Sequence, residues 1–187
     1  MVKRNKALIL NMIYKNEKLS KYSWFNLGGP AEVFFKPNSI DDLKNFLLKS
    51  KNKKDKIFIL GAGSNTLFRD AGFDGIIIKL GKAFTETKLL ENNKIEVGAA
   101  TLDKKLSDFA YKNSLSGLEF LSCIPGSIGG AITMNSGCYD SDISKIFVSL
   151  KAINLSGEIK SFTKDEVKFF YRGNNLNNKL IILSVIL

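Results

Sequence analysis

Two glycine-rich stretches offer this sequence's first hint of chemistry. One is Gly61-Ala62-Gly63-Ser64-Asn65, directly after the apolar run Ile57-Phe58-Ile59-Leu60. The other is Ile124-Pro125-Gly126-Ser127-Ile128-Gly129-Gly130-Ala131. Without a Cβ, backbone N–H groups can turn toward a ligand and approach it closely. Two such loops in one small protein suit a long, doubly charged ligand gripped at two points, and a dinucleotide fits that description.

The best-known dinucleotide and phosphate motifs do not fit. A G-x-G-x-x-G fingerprint needs a third glycine where Thr66 stands, then a helix and an acidic residue about 20 positions on. Instead Arg69-Asp70-Ala71-Gly72-Phe73-Asp74-Gly75 reads as a turn, and the next strand ends in Gly81-Lys82 with no carboxylate. A P-loop fails because Ala83 follows Lys82 and no glycine has the required offset. The first loop is thus a phosphate cradle on another scaffold or only a tight turn. The chain has no histidine, which excludes Ser-His-Asp and Cys-His units, H-E-x-x-H zinc sites and flavin tethered through histidine. Two cysteines cannot build a zinc site, so no metal is expected.

The elements that must position these loops can be read from periodicity. Ala31–Lys36 is a strand stopped by Pro37. Ser39-Ile40-Asp41-Asp42 starts a helix with Ile40, Leu43 and Leu47 on one face. Ile57–Leu60 is a buried strand that delivers the first loop, and Ile76–Leu80 pairs with it. Lys94–Gly98 alternates as a strand. A helix from Thr101 carries Leu102, Leu106, Phe109 and Ala110 on one face and leads to the second loop. Val148–Leu155 and Ile159–Phe162 form strands turned by Ser156-Gly157. Thr163-Lys164-Asp165-Glu166 caps a short helix ending at Gly173. Leu180–Leu187 is an apolar strand on which the chain stops, as if cut short, with one side expected to lie exposed. The mixture is α+β.

At 187 residues the chain holds one medium domain or two small lobes. No apolar run approaches the roughly 18 residues of a membrane span, so no membrane partner is expected. Ala7-Leu8-Ile9-Leu10 is broken by Asn11 and lacks a cleavage site, so it is no secretory signal. Two cysteines make no disulfide framework, which points to a reducing cytoplasm. A net charge of +10 raises the alternative of a basic nucleic-acid-binding domain. Its densest run, Lys49–Lys56, sits at an expected helix end, and an AT-rich coding bias explains the abundance of Lys, Asn, Ile and Phe. No nucleic-acid partner is therefore expected, although a basic surface would still attract nucleotides.

Five segments occur in a telling order. They are Ser23-Trp24-Phe25-Asn26-Leu27-Gly28-Gly29-Pro30-Ala31, Leu60–Leu67, Gly117-Leu118-Glu119 with Ile124–Ala131, Met134-Asn135-Ser136-Gly137, and Phe170-Tyr171-Arg172. Together they resemble the UDP-N-acetylenolpyruvoylglucosamine reductase (UDP-N-acetylmuramate dehydrogenase) family of flavoenzymes, from about Ser20 to the last residue. The resemblance implies a two-lobed FAD-binding module of the vanillyl-alcohol-oxidase (PCMH) type, with lobes at 1–80 and 81–187. It implies noncovalent FAD, with Gly61, Ala62, Gly63, Ser64 and Asn65 at the pyrophosphate. Pro125, Gly126, Ser127, Gly129, Gly130, Asn135 and Gly137 would line the flavin and adenine side. NADPH would be the reductant and a UDP-sugar enolpyruvyl ether the substrate, in peptidoglycan precursor synthesis. Tyr171 and Arg172 would bind that substrate, and Arg172 would be catalytic, stabilising developing enolate charge.

The sequence departs from the family in several places. Gly173-Asn174 follows the arginine where a serine usually lies two residues on. Asp140 and Cys123 stand where glycines are usual. Cys123 and Cys138 are read as small core residues. The family's third, substrate-binding domain has no counterpart here, nor have its proton-donating serine and its glutamate. The resemblance therefore implies the FAD-binding portion of the enzyme, truncated before that domain, whether completed by a separate chain or surviving as an inactive flavin-binding remnant. Complete turnover by these residues alone is not expected.

Overall fold

Continuous and alternating apolar runs set two separate sheets in the computed structural model, which describes residues 12–50 and 56–187. The expected N-terminal pattern at 7–11 and most of the basic run after Lys49 lie outside the described residues. The chain divides into two compact units. One runs up to Ala83 and takes in Leu155–Glu158; the other holds Phe84–Asn154 and Ile159–Leu187.

In the first unit β1 (Ile13–Lys18) pairs antiparallel with β2 (Pro30–Phe35). Strand β2 then runs parallel to β4 (Phe73–Ile78), and β4 runs parallel to β3 (Ile57–Ile59). Parallel strands are covered on both faces, and this explains why Ile76, Ile77 and Ile78 are all buried in succession. Strand β4 begins at Phe73, so part of the expected Arg69–Gly75 turn is strand. Helix α1 (Ile40–Lys49) starts where expected, with the Ser39 hydroxyl oxygen accepting the Asp42 N–H at 3.0 Å. Its inner face is Leu43, Phe46 and Leu47, while Ile40 is exposed. This corrects the expected face: Phe46, three residues after Leu43, stacks on Phe35 at 3.9 Å, whereas Ile40 lies at the open first turn. Phe34, Leu19, Ala31, Leu60, Phe68 and Ile77 form the core of this unit, with Tyr22 stacked on Phe34. Each fully buried side chain of Phe or Leu size stabilises it by about 1.5–3 kcal/mol.

The second unit is built on a five-stranded antiparallel sheet. Its strands are β5 (Thr87–Leu89), β6 (Ile95–Gly98), β9 (Ser149–Ile153), β10 (Ile159–Thr163) and β13 (Ile181–Ile186), in the order β10-β9-β13-β6-β5. The terminal strand is therefore the centre of the sheet, hydrogen-bonded on both sides. Its Ile181, Ile182, Leu183 and Val185 are buried, which corrects the expectation of an exposed apolar side. Helix α2 (Asp103–Lys112) buries Leu106 and Ala110 as expected. Leu102 precedes it and is exposed, and the inward place is taken by Asp103.

The expected helix over 163–173 does not form. Glu166 Oε2 accepts the Thr163 N–H at 2.8 Å and its hydroxyl at 3.0 Å, as a capping box would. The chain then folds into the hairpin β11 (Phe169–Phe170) and β12 (Gly173–Asn174). The Asn175 side chain captures backbone that a helix would have used. Lys168 N–H donates to Asn175 Oδ1 at 2.8 Å, and Asn175 Nδ2 donates to Glu166 O at 3.1 Å. Asn174 Nδ2 donates instead to Ile132 O at 2.9 Å.

Candidate FAD-binding site

The first glycine segment is a series of bends between β3 and β4, and no helix follows it. Its conformation is set by the chain segment before β2. Gly63 has φ +79°, and a Cβ there would lie 1.9 Å from Tyr22 O. Trp24 N–H donates to Gly63 O at 3.0 Å, and the buried Ser23 hydroxyl donates to Thr66 O at 2.9 Å. Gly61, Ala62 and Ser64 are half-buried and Asn65 is exposed. Lys79, just past the end of β4, donates from Nζ to Gly61 O. Burial, and next the like charge of Lys36, lower the Lys79 pKa below the usual lysine value. A half-buried ammonium at this loop suits a phosphate oxygen. Sequence reasoning missed Lys79, because its burial is a tertiary property. The signal available was a lysine closing an isoleucine-rich strand that pairs with the loop's own strand.

In the second unit a 3₁₀ turn (Glu119–Cys123) leads into the second glycine segment. The segment continues as helix α3 (Ile128–Met134) and then β7 (Gly137–Cys138), which pairs with β8 (Ser141–Asp142). Its backbone zips onto the stretch before α2. Asp103 N–H donates to Gly126 O at 3.1 Å, Ile128 N–H to Thr101 O at 2.9 Å, and Gly129 N–H to Ala99 O at 2.8 Å. Gly126 and Gly137 are closely packed, Gly126 on the stretch before α2 and Gly137 on its partner strand, and Gly129 is tight against Ala99. A Cβ would lie 2.3 Å from Asp103 Oδ2 at Gly126, 3.2 Å from Ala99 Cβ at Gly129, and 2.4 Å from Ser141 O at Gly137. Gly130 differs. A Cβ there would meet only Ser127 Oγ, at an ordinary 3.6 Å, with open space otherwise. Pro125 is exposed and Ser127 is buried.

Asp103 is fully buried, and neither of its carboxyl oxygens has a hydrogen-bond partner; Thr101 Oγ1 is likewise orphaned. Burial pushes the Asp103 pKa up to about 7.

Asn135 joins the second segment to the Tyr171–Arg172 turn. It ends α3 in the left-handed region at φ +42° and is buried. Its Nδ2 donates to Phe170 O at 3.2 Å, while its Oδ1 accepts the Ser144 N–H at 3.1 Å. Tyr171 and Arg172 form the tip of the β11–β12 hairpin, both exposed. Arg172 has φ +60°, and its guanidinium carbon lies 5.2 Å from the Tyr171 ring centre, a cation–π contact. The structure thus brings Gly126, Ser127, Gly129, Gly130, Asn135, Gly137, Tyr171 and Arg172 into one unit and Gly61–Asn65 into the other. Cys123 is exposed and Cys138 half-buried, which corrects their reading as core residues.

Each unit, taken by itself, carries features that suit part of a flavin dinucleotide. Gly130 leaves room that no neighbouring atom of the protein fills, and the first loop carries a cation with a lowered pKa. The chain belongs to the FAD-binding domain family, which matches residues 31–163. Its fold is the α+β FAD-binding module of the vanillyl-alcohol-oxidase type. A p-cresol methylhydroxylase shares this fold at a TM-score of 0.66 with 14% identity, covering 99% of this chain and 42% of that one. Within that class, it is similar to the UDP-N-acetylenolpyruvoylglucosamine reductase of Pelagibacter ubique, 49% identical over 166 residues, covering 89% of this chain and 55% of that relative. The Rickettsia rickettsii enzyme of the same name is 45% identical over 172 residues, covering 92% of this chain and 58% of that relative. The Thermus caldophilus reductase structure matches at a TM-score of 0.79 and 29% identity, over 91% of this chain and 60% of that one. The chain spans a little over half the length of the curated relatives it matches. Among the described residues no helix is long and apolar enough to cross a membrane.

Proposed function

We propose that this chain is the FAD-binding portion of a UDP-N-acetylenolpyruvoylglucosamine reductase. The reaction is the NADPH-dependent reduction of a UDP-sugar enolpyruvyl ether to UDP-N-acetylmuramate, in the cytoplasm, during peptidoglycan precursor synthesis. Near-half identity to reductases of that name over about nine-tenths of the chain carries this reading. Lobes at 1–80 and 81–187 are the proposed functional halves.

Bound FAD would supply two-electron reduction chemistry between the nicotinamide donor and the substrate. The protein's part is grip and charge. Gly61, Ala62, Gly63, Ser64 and Asn65, with Lys79, hold the pyrophosphate through backbone N–H groups and one ammonium. Pro125, Gly126, Ser127, Gly129, Gly130, Asn135 and Gly137 would line the flavin and adenine side, and Gly130 would let the ligand approach the backbone. Tyr171 and Arg172 take the substrate. The planar guanidinium pairs with a carboxylate through two N–H donors and stabilises negative charge as the double bond is reduced. Asn135, through Phe170 O, fixes the hairpin that presents it.

The test is FAD uptake by the purified chain, read as a shifted flavin absorbance band, followed by turnover once a relative's substrate domain is added in trans. The expected result is FAD uptake, with Arg172→Ala keeping the flavin and losing roughly 10²–10³ in rate. A chain that takes up no FAD overturns the reading. Undiminished turnover by the variant removes the arginine's role.

A further inference from the structure

Cys123 and Cys138 bracket the second glycine segment, one closing the 3₁₀ turn before Ile124 and the other ending β7 after Gly137. They are the chain's two cysteines, and both are free thiols. The 3₁₀ turn packs against β7, and Cys138 Sγ donates to Phe120 O within that turn at 3.3 Å. Cys123 is also near enough to act electrostatically on Cys138, which makes the two thiols neighbours across this contact. Cys123 is exposed, with Ser122 Oγ 3.6 Å from its sulfur, while Cys138 is half-buried. An accessible thiol backed by a second, shielded one is the arrangement of an attacking and a resolving cysteine.

We propose that Cys123 and Cys138 are a redox-modification site, a dithiol that small disulfide oxidants convert to an internal disulfide stapling the two ends of the second glycine segment. The exposed Cys123 thiolate attacks one sulfur of the oxidant, whose S–S bond breaks. One small thiol leaves, taking up the proton that Cys123 lost, and a mixed disulfide remains on Cys123. Cys138 then releases its proton and attacks Cys123 Sγ, and the second small thiol departs carrying that proton. Two protein thiols are oxidised and one oxidant disulfide is reduced to two thiols.

Burial, and after it the neighbouring Cys123, holds the Cys138 thiol above its ordinary pKa, against the weaker opposing pull of Arg172. Because the thiolate is the nucleophile, the closing step is slow near neutrality and quickens with rising pH.

The experiment treats the fully reduced chain with excess glutathione disulfide. Intact mass, thiol titration and a non-reducing peptide map follow the reaction from pH 7 to 9. The expected product has lost two hydrogens, titrates for no thiol, and links the peptides carrying Cys123 and Cys138. The closing rate rises about tenfold per pH unit. Cys138→Ser stops at the glutathione adduct on Cys123. Wild-type protein that stops at the same adduct, or that links chain to chain, overturns the proposal. So does a bridge that closes no faster in the native chain than in concentrated urea.

Discussion

The two glycine segments look alike in sequence and are built for different reasons. In the first, Gly63 is required by the protein itself, because the Tyr22 carbonyl occupies the place of a side chain and the backbone is left-handed. In the second, the zipper onto residues 99–103 explains Gly126 and Gly129, but nothing in the protein crowds Gly130. A glycine loop is thus two things at once, a packing solution and a docking surface, and only the second kind of glycine reports on a ligand. Variants at the two kinds of position should separate folding from flavin binding.

The largest effect is expected at Gly63. Gly63→Ala adds a Cβ at 1.9 Å from a backbone oxygen that no rotamer change can move aside, and it places alanine at φ +79°. A loss of about 3 kcal/mol or more follows from clash and strain together. Urea unfolding followed by fluorescence should show it in the absence of flavin. A variant as stable as wild type that simply binds FAD poorly would place Gly63 with Gly130 and erase the contrast.

This distinction was only partly visible in the sequence. The strands around the first loop were legible, because Phe34-Phe35 and Ile76-Ile77-Ile78 are buried in succession, and Ser39 with Asp42 is a local cap. What local pattern could not show was competition from distant side chains. Thr163 and Glu166 satisfy the capping pattern, yet Asn175 takes the Glu166 carbonyl and the Lys168 N–H, and the chain turns into a hairpin. Likewise Asp103 reads as an ordinary acidic first-turn residue until the second glycine segment covers it. Lys79 is an unremarkable strand-end lysine until Gly61 lies beside it. The motif order revealed the candidate ligand, and packing reveals which residues the fold needs for itself.

The second glycine segment rests on an acid, and the next largest effect concerns that support. Asp103 has a folded pKa raised from 3.8 to about 7 by burial. The folded state therefore binds its proton more tightly than the unfolded state. That contribution to stability is complete below pH 4 and is lost as pH rises through 7. Asp103→Asn has no such proton to lose. Its stability relative to wild type should climb by about 2–4 kcal/mol between pH 4 and pH 8, as read from paired urea titrations. A pH-independent difference would mean that Asp103 finds a partner in solution, and the second segment would then be as self-satisfied as the first.

The smallest change in stability carries the sharpest test. Gly130 lies inside α3, with a Cβ position contacting only Ser127 Oγ at 3.6 Å. Alanine there avoids steric conflict and removes the entropic cost of a helical glycine, so Gly130→Ala should gain about 0.5–1 kcal/mol in the flavin-free protein. Most glycine variants that impair a binding protein do so by unfolding it. Here the expectation is the reverse sign on stability combined with weakened FAD binding, because the added methyl enters space that the protein leaves open. Flavin titration beside thermal unfolding of the same preparation separates the two. If the variant is more stable and binds FAD as tightly as wild type, Gly130 does not face the cofactor, and the second segment would be a packing loop throughout.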